Sequence, residues 1–288
     1  MQCALQSKNI CVLINLFGAE ICSIKNRQGL EYIWQADPAF WARHAPVLFP
    51  IVGKLKNDTF TFENKNYSLT QHGFARDMKF ENVFADESSC VFRLTSNSST
   101  LKCYPFAFIF EIKYQLVGNC ISTFYKIKNQ TEIPIYFSVG AHPAFNCPLV
   151  NNDSFEDYYL KFEKPEFVLS TIANGLRTGE KIKLTIGKNK LLLSEELFDH
   201  DALIFENNQI NKISLCSLNT NHQISLNCKG WPNFGIWTKK GSNKFICLEP
   251  WFGIADDETT DRQIITKKGI LALAPFNEFN CSYSLTFS

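Results

Sequence analysis

The 288-residue chain holds no C-x-x-C pair and no apolar run approaching the length of a membrane span. The first absence argues against a zinc knuckle or a thioredoxin-like site. The second argues against a transmembrane helix. A charge excess is lacking too: Lys and Arg number 29 against 28 Asp and Glu. Nothing therefore draws the chain electrostatically to nucleic acid or to an anionic membrane. There are no Pro- or Gly-rich linkers, low-complexity tracts or internal repeats, which predicts one continuous domain over residues 1–288. The early apolar run "CVLINLF" has Glu20 close behind it, no strong basic segment before it and no A-x-A-like site after it, so it does not read as a signal peptide. The 11 cysteines are odd in number and scattered. They fit small buried hydrophobes in a reducing compartment, and the expected location is the cytoplasm.

What the chain does have is phenylalanine, 26 of them, and a hydrophobic period of two. "TFTFENKNYSL" alternates on both sides of Asn64-Lys65-Asn66, as a hairpin does. "ISTFYKIKNQ" puts Ile121, Thr123, Tyr125 and Ile127 on one face. "KISLCSLNTNHQISLNC" reads as a second hairpin turning at Asn219-Thr220-Asn221, and "CSYSLTFS" as a last strand. Helical candidates are short. They are "DPAFWARHA", with Asp37 as cap and Pro38 at the first helical position, and "SEELFD", capped by Ser194. Many strands without amphipathic helices between them predict an all-β fold, a large antiparallel β-sandwich with one sheet face packed and the other partly open. An open concave face suits a ligand.

Five stretches carry candidate chemistry. They are "WARHAPVLFPIVGKL" with Arg43, His44 and Lys54; "QHGFARD" with His72 and Arg76; "GAHPAF" with His142; "FDHDALIF" with Asp199, His200 and Asp201; and "ICLEPWFGIADD" with Glu249. Glu249 follows Ile246-Cys247-Leu248 and precedes Pro250-Trp251, which reads as a carboxylate at the inner end of an apolar strand. Partial desolvation there would raise its pKa toward the range of a general base. His142 follows the strand-like "IPIYFSV", and the small Gly140 and Ala141 beside it allow close approach. A histidine and a glutamate at strand termini make an acid/base pair that needs no metal. No His/Asp/Glu cluster has metal-ligand spacing in the sequence, so no metal site is expected. His44, His200 and His222 read as structural or surface residues, and Phe49, Phe74, Phe145 and Phe252 as core.

"QHGFARD", "GAHPAF" and "CLEPWFGIAD", in that order, resemble the aldose 1-epimerase (galactose mutarotase) superfamily, and "RHAPVLFPIVGKL" fits its LacX-like branch. The likeness runs from about residue 10 to the end. It implies a galactose mutarotase-like supersandwich with the site on a concave sheet face. It also implies interconversion of α and β anomers of a sugar by acid/base ring opening, without a cofactor. By this resemblance Glu249 is the base, His142 the acid, and His72 polarises the ring-oxygen region. Sugar hydroxyls would be held at Lys54, where the family has an arginine, and at Asp201, with Asp199 competing. Lysine is a point donor rather than a planar fork, so Lys54 departs from the pattern. Trp251 is the best candidate for stacking on a sugar face.

Two alternatives stand beside this. "QHGFARD" and "WARHAPVLFP" also resemble the hexose-6-phosphate 1-epimerase branch, in which Arg43 and Arg76 would clamp a phosphate. That reading predicts both arginines converging free of carboxylate partners. The other alternative is a carbohydrate-binding module without turnover, favoured by Lys54 and opposed by the presence of both acid and base. The expected partner is a small sugar or sugar phosphate. Free strand edges leave a homodimer open.

Overall fold

The computed structural model describes residues 2–288. Two large antiparallel sheets dominate, one of nine strands and one of eight. The N-terminal strands Gln2–Gln6, Ile10–Asn15 and Ile21–Asn26 form a third, smaller sheet. The one α-helix among the described residues, Ser98–Cys103, begins in a capping box of Asn97 and Thr100. No helix there is long and apolar enough to cross a membrane.

The nine-stranded sheet follows directly from the period of two. Along Phe108–Val117, Phe108, Phe110, Ile112, Tyr114 and Leu116 point inward. The partner strand Cys120–Asn129 buries Ile121, Thr123, Tyr125 and Ile127, with Ile121 opposite Leu116 and Ile127 opposite Phe110. Phe124 and Lys126 face out. Between the sheets, Phe49 sits among the rings of Phe74, Tyr104, Phe108, Phe110 and Phe137. The phenylalanine excess thus becomes an aromatic core.

The eight-stranded sheet differs. Its strand Phe245–Phe252 is buried at every position but the last, so it reads as a continuous apolar run rather than an alternating one. The hairpin of Thr59–Phe62 and Lys65–Ser68 turns at Glu63-Asn64, one residue earlier than the sequence suggests. Both turn residues have positive φ (49° and 61°), as a two-residue hairpin turn of the primed type requires. The second hairpin pairs Lys212–Ser217 with Gln223–Asn227, leaving Asn219-Thr220-Asn221 in the loop.

Neither helical candidate becomes an α-helix. At Asp37 a single turn forms, with Phe40 and Trp41 N–H donating to its carbonyl. It stops because tertiary partners capture the next backbone groups. The Trp34 indole donates to Trp41 O, and Glu20 Oε1 accepts from His44 and Ala45 N–H. "SEELFD" is a 3₁₀ turn, Glu195–Phe198, without a side-chain cap from Ser194.

One buried ion pair ties the loop after Phe252 to the segment after Gly53. Lys267 Nζ lies 3.0 Å from Asp256 Oδ1 and donates to Ile254 O. Asp256 Oδ2 accepts from Lys56 N–H, and Asp256 N–H donates to Lys54 O. Removing one partner strands the other charge in the interior. Lys267→Met is expected to lower the unfolding free energy by about 3–5 kcal/mol. Urea titration checks this, and a loss below about 1 kcal/mol would refute it.

Candidate active site

A cavity of about 540 Å³ opens on the eight-stranded sheet. Glu249 reaches it from the middle of the Phe245–Phe252 strand and is 1% exposed. The sequence suggests a strand end at Pro250, and the sheet shows why none occurs. Phe245–Phe252 pairs with Ala144–Asn146 near its start and with Val139–Ala141 near its end. His142 and Pro143 fill the break between those short strands. Pro250, which has no N–H to donate, lies beside this break, so no ladder bond to that neighbour is lost. The register on either side, Gly140 to Trp251 and Ala144 to Cys247, puts His142 opposite Glu249. Opposite residues share a face of the sheet. His142 Nε2 accordingly sits 3.1 Å from Glu249 Oε2. The histidine and glutamate singled out in the sequence as candidate acid and base are in direct contact.

The contact is close but poorly directed. Glu249 Oε2 and His142 Nδ1 are buried without a hydrogen bond among the described residues, and so is Trp251 Nε1. Trp41 stacks on the imidazole at 4.9 Å and 26°, and Trp237 meets its edge at 5.8 Å. Burial in this aromatic surround lowers the His142 pKa to about 3, helped by the charges of Arg76 and Arg43. Burial likewise pushes the Glu249 carboxyl well above its usual range; Trp251 opposes this and Asp201 adds to it. A carboxylic acid beside a neutral imidazole has the same proton count as a carboxylate beside an imidazolium. The two forms differ by one transfer across the contact, and a dry site favours the uncharged one.

Trp251 is not an open platform. Its ring lies over two glycines: a Cβ on Gly235 would fall 2.3 Å from Trp251 Cη2, and one on Gly140 2.8 Å from Cδ1. Only a residue without a side chain fits at either place. The ring packs with Leu48, Val52, Ile204 and Ile254 while one edge borders the cavity.

His72 also borders the cavity, its ring 5.5 Å from that of His142. It has φ of 68° and is followed by Gly73 at 71°. This tight turn lets His72 and Gly53 bond reciprocally. His72 N–H donates to Gly53 O, and Gly53 N–H donates to His72 Nδ1 at 3.2 Å. Accepting at Nδ1 fixes the neutral tautomer with its proton on Nε2. Burial lowers the His72 pKa well below the ordinary value, with the neighbouring His142 and arginines adding to it.

Arg76 lines the cavity and Arg43 does not. They converge, but on a carboxylate: Asp77 lies 2.9 Å from Arg43 Nη2 and 3.7 Å from Arg76 Nε. The condition for a free phosphate clamp fails. Lys54 does not line the cavity either. Its stem covers Gly175 and its Nζ reaches Asn174 O. Asp199 and Asp201 both stand at the rim. Asp199 pairs with Lys240 at 2.9 Å, whereas Asp201 accepts only the N–H of Ala202 among the described residues. Of the two aspartates, Asp201 is the one free to take a ligand. Sequence reasoning missed Trp41, Trp237 and Gln71, although Trp41 and Gln71 lie inside the quoted stretches. It also missed that Cys247, on the same side of its strand as Glu249, joins Glu249 and His142 within 4.8 Å.

A protonated, buried Glu249 should be replaceable by glutamine without loss of stability. Its raised folded pKa means that its contribution is intact below the unfolded value near 4.5 and is lost as pH rises toward the folded value. The Tm of Glu249→Gln should therefore match the wild type near about pH 4 and exceed it increasingly toward about pH 8. A gap that does not change with pH would contradict the buried neutral carboxyl.

Residues 1–269 match the model of the aldose 1-epimerase family. The chromosomal protein LacX of Lactococcus lactis subsp. lactis is 31% identical, with 99% of each chain covered. Among solved structures, a galactose mutarotase related enzyme from Lactobacillus acidophilus is 36% identical with a TM-score of 0.96, over 100% of this chain and 97% of that one. A galactose mutarotase-like protein from Lactobacillus casei ATCC 334 is 30% identical with a TM-score of 0.93, over 100% of both. The β-sandwich expected from the period of two is the fold of these relatives, and the chain belongs to the aldose 1-epimerase family.

Proposed function

We propose that this isomerase interconverts the α and β anomers of an unphosphorylated aldose, with His142 and Glu249 moving the protons. The observation that carries the reading is the His142–Glu249 contact on the cavity wall. Ring opening removes the proton from the C1 hydroxyl and places one on the ring oxygen. Reclosure on the other face of the carbonyl reverses both transfers. Glu249 takes the hydroxyl proton and His142 delivers to the ring oxygen from the charge-separated form of the pair. That form is one proton transfer away from the uncharged one, and a sugar presenting both oxygens stabilises it. The face of Trp41 against His142 favours the imidazolium while it exists. His72 Nε2–H donates toward the ring-oxygen region, and Asp201 accepts from sugar hydroxyls.

A free sugar fits the charges better than a sugar phosphate does. Asp77 already engages both arginines, leaving the trio a single positive charge, and Lys240 at the rim is paired with Asp199. Anomer exchange followed by NMR, over a panel of free aldoses and their 6-phosphates, tests this. Acceleration restricted to 6-phosphates, weakened by Arg76→Ala, would reverse the assignment.

Glu249→Gln and His142→Asn should each lower kcat by roughly 10²- to 10⁴-fold in a folded protein. The double variant should be little worse than the poorer single, because the two act as a unit. Activity near wild-type level in either single variant would end this mechanism.

The rate should also lack the inflection near 6.5 that an ordinary histidine gives. With His142 titrating at about 3 and Glu249 well above its usual range, the pair keeps its single shared proton throughout the interval between. kcat should be flat there, falling on the acid side as His142 gains a second proton and on the alkaline side as Glu249 loses its own. A change in kcat of more than about tenfold between about pH 5 and 7, with an inflection near 6.5, would refute it.

A further inference from the structure

We propose that His142, Cys247 and Glu249 form a binding site for one thiophilic divalent cation of the Zn²⁺ type, whose occupancy silences the acid/base pair. A ring nitrogen of His142, Cys247 Sγ and a carboxylate oxygen of Glu249 all lie within 4.8 Å of one another. A tetrahedral Zn²⁺ with bonds of roughly 2.0–2.3 Å places its donors roughly 3.3–3.8 Å apart. Small side-chain shifts bring the three into that range. The backbone holds them in place: Cys247 is fixed opposite Ala144, and Glu249 opposite Gly235, on strands paired along both edges. Glu249 Oε2, in a residue 1% exposed, has no hydrogen bond among the described residues. It is therefore a buried acceptor aimed at this group.

Cys247 itself is fully buried behind the pair, in a cluster with Trp34, Ala144 and Phe245, and the proposed reaction gives it no part. Its presence makes the trio soft. A thiolate beside an imidazole and a carboxylate selects Zn²⁺ or Cd²⁺ over Mg²⁺ or Ca²⁺. The protons and charges balance. The cation displaces the thiol proton and the carboxyl proton, and the resulting assembly is neutral. Burial that opposes a lone thiolate or a lone carboxylate does not oppose this product. His142 and Glu249 line the cavity, so a cation would reach the trio from that side. Because the same His142 and Glu249 atoms serve proton transfer in the proposed function, the metal would block it.

Co²⁺ added to the full-length protein tests the site without reference to activity. The wild type should develop a thiolate-to-cobalt charge-transfer band in the near ultraviolet together with tetrahedral visible bands. Zn²⁺ should erase both, and Cys247→Ala should lack them. Two released protons should tighten the apparent Kd by up to about 100-fold per pH unit. No charge-transfer band, or one that persists in Cys247→Ala through another of the 11 cysteines, would overturn the site. So would binding independent of pH. Where anomer exchange is measurable, Zn²⁺ should inhibit the wild type reversibly by chelator and spare Cys247→Ala, which should turn over normally. A chain inactive on every sugar would refute the proposed function, and the cobalt spectrum would still decide the metal site.

Discussion

The organisation of the site depends on holding one carboxyl group, Glu249, in the middle of a buried strand. An isolated carboxylate in such a place is strongly disfavoured, so the group persists in its protonated form and needs a partner to exchange that proton with. The break between Val139–Ala141 and Ala144–Asn146 supplies that partner, because His142 sits in the gap in register with Glu249. The aromatic wall then has a clear role. Trp41 and Trp237 cover the imidazole, and Trp251 covers the carboxyl side. Together they exclude the water that would otherwise solvate separated charges. Gly140 and Gly235 make room for the Trp251 ring, so two missing side chains are as much a part of the site as the polar groups.

Around this centre the scaffold fixes orientation through backbone bonds rather than through long side chains. His72 is held by reciprocal bonds with Gly53, which set both its position and its tautomer. Gly53 in turn lies under Ala255, where any added Cβ would come within 2.6 Å of the alanine methyl. The loop carrying Ala255 is anchored by the Asp256–Lys267 pair. A chain of short contacts therefore runs from a buried ion pair, through two backbone segments, to a ring nitrogen facing the cavity. Preorganised donors of this kind need little rearrangement when charge develops.

Much of this was legible in the sequence wherever the signal is local. The alternation in Phe108–Val117 and Cys120–Asn129 survives intact, because each of these strands has one buried and one outward face. The three motifs carrying the family likeness all reach the cavity wall, through His72, His142 and Glu249. What was not legible is whatever depends on register between distant strands. Pro250 suggests a strand end by ordinary rules, and only the gap opposite it explains why the strand continues. The Asp37 segment has the residues of a helix start but loses its backbone groups to Trp34 and Glu20, distant partners that local propensity does not anticipate. Lys54 matches the family position in sequence, yet its stem lies against Gly175 and its Nζ reaches Asn174 O, so the side chain itself does not line the cavity. Cys247 looks like one more buried thiol until the fold sets it beside His142.

The cationic groups around the cavity are drawn into contact with carboxylates, and this bears on what the site accepts. Arg43 and Arg76 meet Asp77 on one side, and Lys240 meets Asp199 on the other. The Arg76 guanidinium is pushed down to about 10 by burial and by Arg43, so an additional cation there would be opposed, and one anion, Asp77, already occupies the arginine donors. A doubly charged phosphate would have to compete with Asp77 for the same donors and pay its own desolvation in a half-enclosed cavity. A neutral sugar has no such competition. It needs hydroxyl partners and an apolar wall, which the proposed function assigns to Asp201 and His72 and to the tryptophans lining the cavity. The uncharged resting form of His142 and Glu249 fits the same pattern. With Asp77 shared between the two arginines and Asp199 held by Lys240, discrimination in the proposed function rests largely on hydrogen bonds and shape, the terms by which one hydroxylated ring is told from another.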